Sequence, residues 1–481
     1  VAIVAVLFWQ LKHRDAPKGS SASPTTVAVL PFQNMSADQT VDFLRLALPD
    51  EIATALSYAH ALSIRPFATT SKYNSPSLDL EQAGREMRVT DIVTGHYLKE
   101  GDQLQITLEA VDVANNRTVW RDTLNVGAAD MIAMRGQIAA KVRQGLVPAL
   151  GAGENSAEAG TRPKNEEAYD LYLRSVSLPH DAALNKEAIA MLERAVGLDA
   201  TYAPAWRALG ERYYYDSHYS DGGAPMFQRS TAAHERALAL DPDYSDAAGM
   251  LITNRVETGE LGRAYKDAKA LVARHPENAM AHFALSYVLR YGGLLQESAR
   301  ECDPALSLDP GNYQFRSCSF VFDLTGNIER GMEFLQLDPG SGWVRSNLPL
   351  HFERAGQRAE ARESAKKVST DDPFRAVLVA CFDPSPPTQL DKEVREATPG
   401  FFADPDPENR YWDAALMAAC GRKDTALRLI KSAIDGHYCA YAALQSDPLM
   451  ATLRGDPEFN QLLAAAKNCQ SNFVAEGIQA H

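Results

Sequence analysis

The sequence predicts an amino-terminal α/β domain with a mixed sheet, followed by an all-α superhelical solenoid. Two observations predict this organisation. Between positions 26 and 126, short β-branched segments first alternate with amphipathic helical stretches and then form three consecutive strands joined by tight turns. Beyond them, prolines recur every 34 residues at Pro242, Pro276 and Pro310. A period of that length is typical of stacked helical hairpins.

Composition and charge exclude several classes of protein. The chain has 481 residues, which is too long for one ordinary hydrophobic core. A net charge of −14 without a basic cluster argues against direct nucleic-acid binding, because phosphate contacts need a concentrated positive surface. Six widely spaced cysteines without a Cys-x-x-Cys pair argue against a metal site. We expect buried thiols on helices, with disulfides between neighbouring helices as the alternative.

The first domain is predicted over residues 26–149. It begins with a buried strand ending in Leu-Pro-Phe, and an amphipathic helix with an acidic amino-terminal cap follows. No glycine-rich loop follows a strand, so we expect no nucleotide cofactor. The predicted strands cover 26–32, 62–67, 89–98, 104–113 and 118–126, and the predicted helices cover 41–56, 80–87 and 129–146.

Several segments of this domain resemble a known family. The runs VAVLPFQNMSADQTVDFL, PDEIATALS, LSIRPFATTSKY, AGREMRVTDIVTGHYLKEGDQLQITLEAVD and TVWRD are similar to the TolB amino-terminal-like domain over residues 27–126. One departure is that residues 46–50 (LALPD) stand where relatives carry an Asp-Gly pair. In bacteria this domain commonly lies between a transmembrane helix and a tetratricopeptide (TPR) array, in CadC-type winged-helix regulators, adenylate cyclases and receptor-like serine/threonine kinases.

The helical part resembles the TPR pattern. Trp206, Leu209, Gly210 and Tyr213 reproduce the W-x2-L-G-x2-Y signature of a first helix, and Ala237 stands at the small position of the second helix. The resemblance implies a TPR-type superhelical solenoid. We expect a linker over 150–164, TPR repeats over 165–375, degenerate TPR-like helical pairs and a cap over 376–468, and a disordered tail over 469–481.

The amino-terminal end predicts a membrane attachment. Residues 1–9, VAIVAVLFW, are uninterruptedly apolar and precede a Pro- and Ser-rich stretch. Because a bilayer-spanning helix needs about 20 residues, we interpret 1–9 as the end of a truncated transmembrane helix and 10–25 as a linker. A cleaved or disordered amino-terminal end is the alternative. With the family resemblance, this predicts a single-pass protein of the bacterial inner membrane, with its bulk periplasmic and the membrane as a partner through that helix.

The sequence predicts a binding protein and no enzyme. We identify no catalytic residue, cofactor site or metal site, because no catalytic motif occurs and the eleven histidines are scattered. A solenoid presents a concave face lined by first helices, and peptides bind such faces. The repeat register predicts a groove for a protein or peptide partner that contains Arg207, Glu211, Tyr214, Phe283, Tyr287, Arg290 and Trp343. The alternative that these are partly buried packing residues stays open.

Two functional hypotheses follow. The first is a non-catalytic interaction scaffold or sensory segment of a bacterial membrane-tethered protein, which binds its partner through the concave groove. The alternative is the regulatory extracytoplasmic part of a receptor-like serine/threonine kinase or adenylate cyclase, or of a winged-helix transcription regulator whose output domain lies upstream. The sequence carries no signal for the oligomeric state.

Overall fold

The computed structural model describes residues 25–59, 61–65, 67–75, 77–153, 162–370, 373–382 and 386–478. The predicted transmembrane remnant 1–9 lies outside the described residues, as does nearly all of the linker 10–25. Among the residues described, no helix is both long enough and apolar enough to cross a bilayer. This finding contradicts the predicted single-pass placement in the inner membrane, and the described residues do not show the predicted periplasmic location or membrane partner.

The amino-terminal domain contains the predicted mixed sheet. Its strands run in the order β3-β1-β4-β5-β6, and β2 pairs with β4. β1 is parallel to β3 and β4, whereas β4, β5 and β6 form an antiparallel meander. The strands are β1 (Thr25–Val29), β2 (Gln33–Asn34), β3 (Leu62–Ile64), β4 (Asp91–Glu100), β5 (Gln103–Asp112) and β6 (Arg117–Gly127).

Helices cover both faces of this sheet. Successive residues of a strand point to opposite faces, so Val27 and Val29 join one apolar cluster while Ala28 joins another. The first cluster includes residues of the helices Leu44–Ser57 and Met131–Lys141, and the second includes residues of the helix Leu80–Met87. The helices of this domain are α1 (Leu44–Ser57), α2 (Phe67–Thr70), α3 (Leu80–Met87), α4 (Met131–Lys141) and α5 (Val147–Ala149).

The rest of the chain consists of helices that mostly pack in consecutive pairs, which confirms the predicted all-α solenoid. The helices are α6 (Glu166–Val176), α7 (Ala182–Leu198), α8 (Ala203–Tyr219), α9 (Gly223–Leu240), α10 (Ser245–Glu257), α11 (Leu261–Arg274), α12 (Ala279–Tyr291), α13 (Leu295–Leu308), α14 (Ser319–Thr325), α15 (Ile328–Leu335), α16 (Gly342–Arg354), α17 (Arg358–Ala365), α18 (Pro373–Phe382), α19 (Pro387–Ala403), α20 (Pro407–Ala419), α21 (Lys423–Asp435), α22 (Tyr441–Ser446) and α23 (Pro457–Ile478). Short 3-10 segments cover Tyr313–Cys318 and Pro448–Leu453.

The glycine of the repeat signature permits close helix packing. Gly210 in α8 faces α9, and a Cβ atom at this position would lie 2.7 Å from the ring of His234. His234 and Ala237 on α9 are both fully buried. The signature residues therefore fix how near the two helices of this pair approach each other.

The last helices fold back against the middle of the array. Arg290 in α12 donates to both carboxylate oxygens of Glu408 in the first turn of α20. Gln470 in α23 donates to the carbonyl of Gly293, at 2.7 Å. Since α23 also packs against α11, the carboxy-terminal helices close the array over its middle units.

The predicted disordered tail is helical over most of its length. α23 continues past position 468 and ends at Ile478. The reason is the ring of Phe473, which is 4% exposed, packs edge-on against Tyr265 with 5.5 Å between centroids, and lies close to Gly292. Burial of this aromatic side chain holds the helix against the array.

All six cysteines form disulfides, which corrects the expectation of buried free thiols. The pairs are Cys302–Cys318, Cys381–Cys420 and Cys439–Cys469, with sequence separations of 16, 39 and 30 residues. Each links neighbouring elements of the array, as the alternative interpretation of the sequence allowed. Such bonds restrict the unfolded chain and so stabilise the folded one.

We predict opposite effects for two Gly-to-Ala substitutions. Gly210→Ala is expected to lower the free energy of unfolding by about 1–3 kcal/mol, because the new methyl group collides with the His234 ring. Gly197→Ala in α7 is the control, since no described atom lies within 4 Å of its Cβ position. It is expected to raise stability by up to about 1 kcal/mol through helix propensity. Urea denaturation followed by circular dichroism measures both, and equal effects would contradict the packing account.

Candidate functional site

The first helices of successive pairs lie side by side and form the inner face of the array. α10 packs against both α8 and α12, so side chains from these three helices meet on this face. The groove predicted from the sequence maps to α8, α12 and α16, and the structure separates its residues into exposed and buried groups.

Arg207 and Glu211 remain partly exposed on α8. They lie one turn apart as an ion pair, with 3.1 Å between the Arg207 Nη1 and Glu211 Oε2 atoms, and keep 23% and 28% of their side-chain surface exposed. Burial opposes ionisation of Glu211, but the positive charges of Arg207 and His180 outweigh it and lower its pKa to about 2. A charged pair is therefore present at this end of the inner face.

Three predicted groove residues on α12 are buried, which corrects the groove interpretation for them. Phe283, Tyr287 and Arg290 are 7%, 8% and 1% exposed. The Phe283 ring packs against Phe315, with centroids 5.1 Å apart. The Arg290 guanidinium donates to Glu408 at 2.7 and 2.8 Å. Phe283 thus packs on the 3-10 segment and Arg290 on the start of α20, so these side chains hold the array together and present no free surface.

Tyr214 on α8 and Tyr287 meet at a single carboxylate. Their hydroxyls donate to Oε1 of Glu257, at the end of α10, over 2.8 and 2.9 Å. The ring nitrogen Nε2 of His218 lies 3.1 Å from Oε2 of the same residue. Three helices therefore converge on Glu257, whose side chain is 3% exposed.

Tyr291 connects this group to the start of α20. Its hydroxyl lies 3.0 Å from the Tyr287 hydroxyl and donates to Asp406 at 2.7 Å. Asp406 in turn accepts from the backbone N–H of Glu408 at 2.8 Å. We call the resulting cluster the inner polar network, which consists of Tyr214, His218, Glu257, Tyr287, Arg290, Tyr291, Asp406 and Glu408.

Burial and charge set the protonation of this network. Burial opposes the imidazolium form of His218, but the negative charge of Glu257 and its hydrogen bond outweigh that effect and raise the pKa to about 9. Burial and the nearby charges of Glu257 and Glu408 raise the pKa of Asp406 well above its ordinary value. Burial also raises the pKa of Glu408, although Arg290 opposes this shift. His218 is therefore a cation that neutralises Glu257 at neutral pH.

A neighbouring stretch of the inner face remains open. Tyr219 is 52% exposed, and its ring lies 5.1 Å from that of Tyr215. The Arg316 guanidinium lies 5.3 Å from the ring of Tyr313 and 5.0 Å from that of Trp343, and it also interacts with Tyr219. We call these five residues the aromatic strip. Sequence reasoning found only Trp343, although the run YYYDSHY in α8 was a visible signal.

The cleft between the α/β domain and α6 has a volume of about 360 Å³. Two of its lining cations are engaged by carboxylates, since Lys99 lies 2.6 Å from Asp38 and Arg174 lies 2.8 Å from Asp170. In the part of the chain that the structure describes, no three His, Cys, Asp or Glu side chains are arranged to hold a metal ion.

A family model matches the amino-terminal part of the chain. Residues 23–141 match the model of the HilA/YgeH-like transcriptional regulator, second domain, so the TolB family predicted from the sequence is not confirmed. A protein of Rhizobium meliloti (strain 1021) named "Putative adenylate cyclase 3" is 26% identical over 237 residues, which are 49% of this chain and 40% of that protein. The chain therefore aligns with less than half of that relative's length.

The chain is similar to solved structures at low sequence identity. The APC/C hetero-tetramer Cut9-Hcn1 covers 62% of each chain at 16% identity with a TM-score of 0.43. A tetratricopeptide repeat protein from Parabacteroides merdae covers 63% of this chain and 100% of its own, at 14% identity and a TM-score of 0.32.

We predict that His218 makes stability depend on pH in the alkaline range. The folded-state pKa of about 9 exceeds the ordinary value of 6.5, so the stabilisation is complete below pH 6.5 and is lost as the pH rises through 9. His218→Gln is expected to remove roughly 2–3 kcal/mol at neutral pH and much less above the folded-state pKa. Urea titrations across this pH range measure the difference. Parallel curves for the two proteins would contradict the assignment.

Proposed function

We propose that this chain is a non-catalytic protein-interaction module whose helical array binds a protein or peptide partner through the open part of its inner face. The observation that carries this proposal is the aromatic strip. Tyr, Trp and Arg are the residue types that contribute most binding energy at protein interfaces, and the strip joins them on one concave surface. Arg207 and Glu211 extend the same surface with a charged pair.

The shape of the array supports the same function. Stacked helical pairs create an extended concave surface without an enclosed reaction chamber, and extended or helical peptides fit such surfaces. The carboxylates of the inner polar network, beside the strip, are already engaged, because they accept hydrogen bonds from tyrosine, arginine and histidine side chains. The proposed division of the chain places this surface within repeats at 165–375, after an α/β domain at 26–149.

A second candidate function is a regulatory segment of a larger signalling protein. Two observations favour it: the match of residues 23–141 to a transcriptional-regulator domain and the similarity to a protein named as an adenylate cyclase. In this case the inner face would bind a partner or respond to a signal. The resulting change would then regulate an output domain of the larger protein. Reading the coding sequence on both sides of this chain distinguishes a cyclase domain from a DNA-binding one.

Site-specific photo-cross-linking tests the interaction proposal. A photo-reactive amino acid at Tyr219 is expected to form a covalent adduct with a defined partner in cells. The same amino acid at Lys266, an exposed position on α11, is the matched control and is expected to form none. Adducts at both positions, or at neither, would contradict the proposed surface.

The recovered partner then permits a quantitative prediction. Tyr219→Ala is expected to weaken the dissociation constant by roughly tenfold or more, because the exposed ring loses its contact area with the partner. Lys266→Ala is expected to change it by less than about twofold. Calorimetric titration measures both constants. An unchanged affinity for the Tyr219 variant would exclude the strip from the interface.

A further inference from the structure

The α/β domain contacts the helical array at several places, among them a hydrogen bond from the Tyr58 hydroxyl to Asp241 at the end of α9, and two of these contacts lie far apart along the chain. The first combines apolar packing with a buried hydrogen bond. Helix α1 shares an apolar cluster with α6 and α8, and Glu51 on α1 accepts a hydrogen bond from Tyr202 at 2.8 Å. The second lies far along the chain, where Thr69 on α2 meets Asp309 at the end of α13. The domain thus spans from the first helical pair to the fourth.

The second contact is polar, buried and incompletely paired. Asp309 is 1% exposed; its Oδ2 atom lies 3.3 Å from the Thr69 hydroxyl. Its Oδ1 atom has no hydrogen-bond partner among the described residues. Arg65, 2% exposed, donates to the carbonyls of Met87 and Arg88, but its Nη1 atom likewise has no described partner. A buried polar contact of this kind is marginal, since unpaired polar atoms cost free energy when removed from water.

The fit at this contact is also close. Gly311 follows Asp309 in the same turn, and a Cβ atom there would lie 2.8 Å from the Cγ2 atom of Thr69. Asn312 comes next and caps the 3-10 segment that begins at Tyr313, accepting from the backbone N–H of Gln314 at 2.9 Å. The contact therefore lies directly beside the segment that presents Tyr313 and Arg316 to the aromatic strip.

We propose that the Asp309 contact is a latch between the α/β domain and the helical array, that it closes when Asp309 is protonated, and that its state sets the position of the aromatic strip. The last part rests on the proposed function, because the strip matters only as a binding surface. The latch itself does not depend on a partner.

The electrostatics of Asp309 support this device. Burial raises its pKa to about 6, although Arg65, Asn312, Thr69 and Lys72 all act to lower it. In an open latch the carboxyl is hydrated and regains an ordinary pKa near 3.8. A group that binds its proton more tightly in the closed state favours closure at low pH and opposes it as the pH rises through 6.

The charged groups around Asp309 fix the direction of this dependence. Arg65 and Lys72 come from the α/β domain, and the charge of Arg88 faces Arg65. The carboxyl of Asp309 is the titrating group that the latch invokes. The ratio of open to closed molecules is expected to rise about tenfold from pH 5 to pH 8.

Pulsed electron paramagnetic resonance distances across the contact test the latch in the full chain. Asn74→Cys and Ser307→Cys place spin labels on exposed positions of the two parts, and all native cysteines are paired. The expected result is a longer-distance population that grows from pH 5 to pH 8. Asp309→Asn, a neutral isostere, is expected to stay closed at both pH values.

A steric variant opens the latch independently of titration. Gly311→Val is expected to give the longer distance at both pH values, because its side chain collides with Thr69. Gly340→Val, in a turn where no described atom lies within 4 Å of the Cβ position, is the control and is expected to behave like the parent. An unchanged distance distribution in the parent from pH 5 to pH 8 would overturn the proposal, as would a persisting pH response in Asp309→Asn. Circular dichroism at each pH confirms that the helices remain folded.

Discussion

The buried pair of Arg290 and Glu408 is the interaction on which the shape of the helical array depends. It joins residues 118 positions apart, and its side chains are 0% and 4% exposed. Removing two charges from water is expensive, so such a pair persists only when both are matched in geometry. The two parallel hydrogen bonds provide that match, and they bring α20 onto the inner face of α12. This contact joins the fourth helical pair to the start of α20.

A second pair repeats the same design. Arg354 in α16 donates to both oxygens of Asp447, at 3.1 and 2.9 Å, across 93 positions. Glu408 lies in the first turn of α20, and Asp447 caps the 3-10 segment that follows it. Helix amino termini favour negative charge because their free N–H groups point toward it. Each pair thus places an arginine of an earlier unit at the start of a later helical segment.

The closure decides which part of the inner face is available for binding. Where α20 covers α12, the tyrosines and carboxylates are used for mutual hydrogen bonds. In the aromatic strip the same residue types are less deeply buried, and Tyr219 is exposed. The α/β domain adds a further constraint, because it is anchored at the first helical pair and reaches the turn beside Tyr313.

Local sequence patterns were sufficient to predict the helices and strands. They were insufficient to predict the contact between α12 and α20. The strand pattern located all three strands of the meander, and the signature around Gly210 located a helix pair, because both depend on neighbouring residues. Periodicity placed Tyr287 and Arg290 on one face of α12, although both are buried there. It carried no information about Glu408, since an ion pair between distant residues leaves no periodic trace. Cysteine pairing and the helical end at Ile478 depend on the same long-range packing.

Native-state hydrogen exchange under increasing denaturant tests the closure most directly. If the Arg290–Glu408 contact unites the array, amides of α12 and α20 open in one cooperative unit with the same free energy and the same denaturant dependence. If α20 to α23 instead exchange at lower free energy while α12 stays protected, the carboxy-terminal helices are an independent extension and the account is wrong.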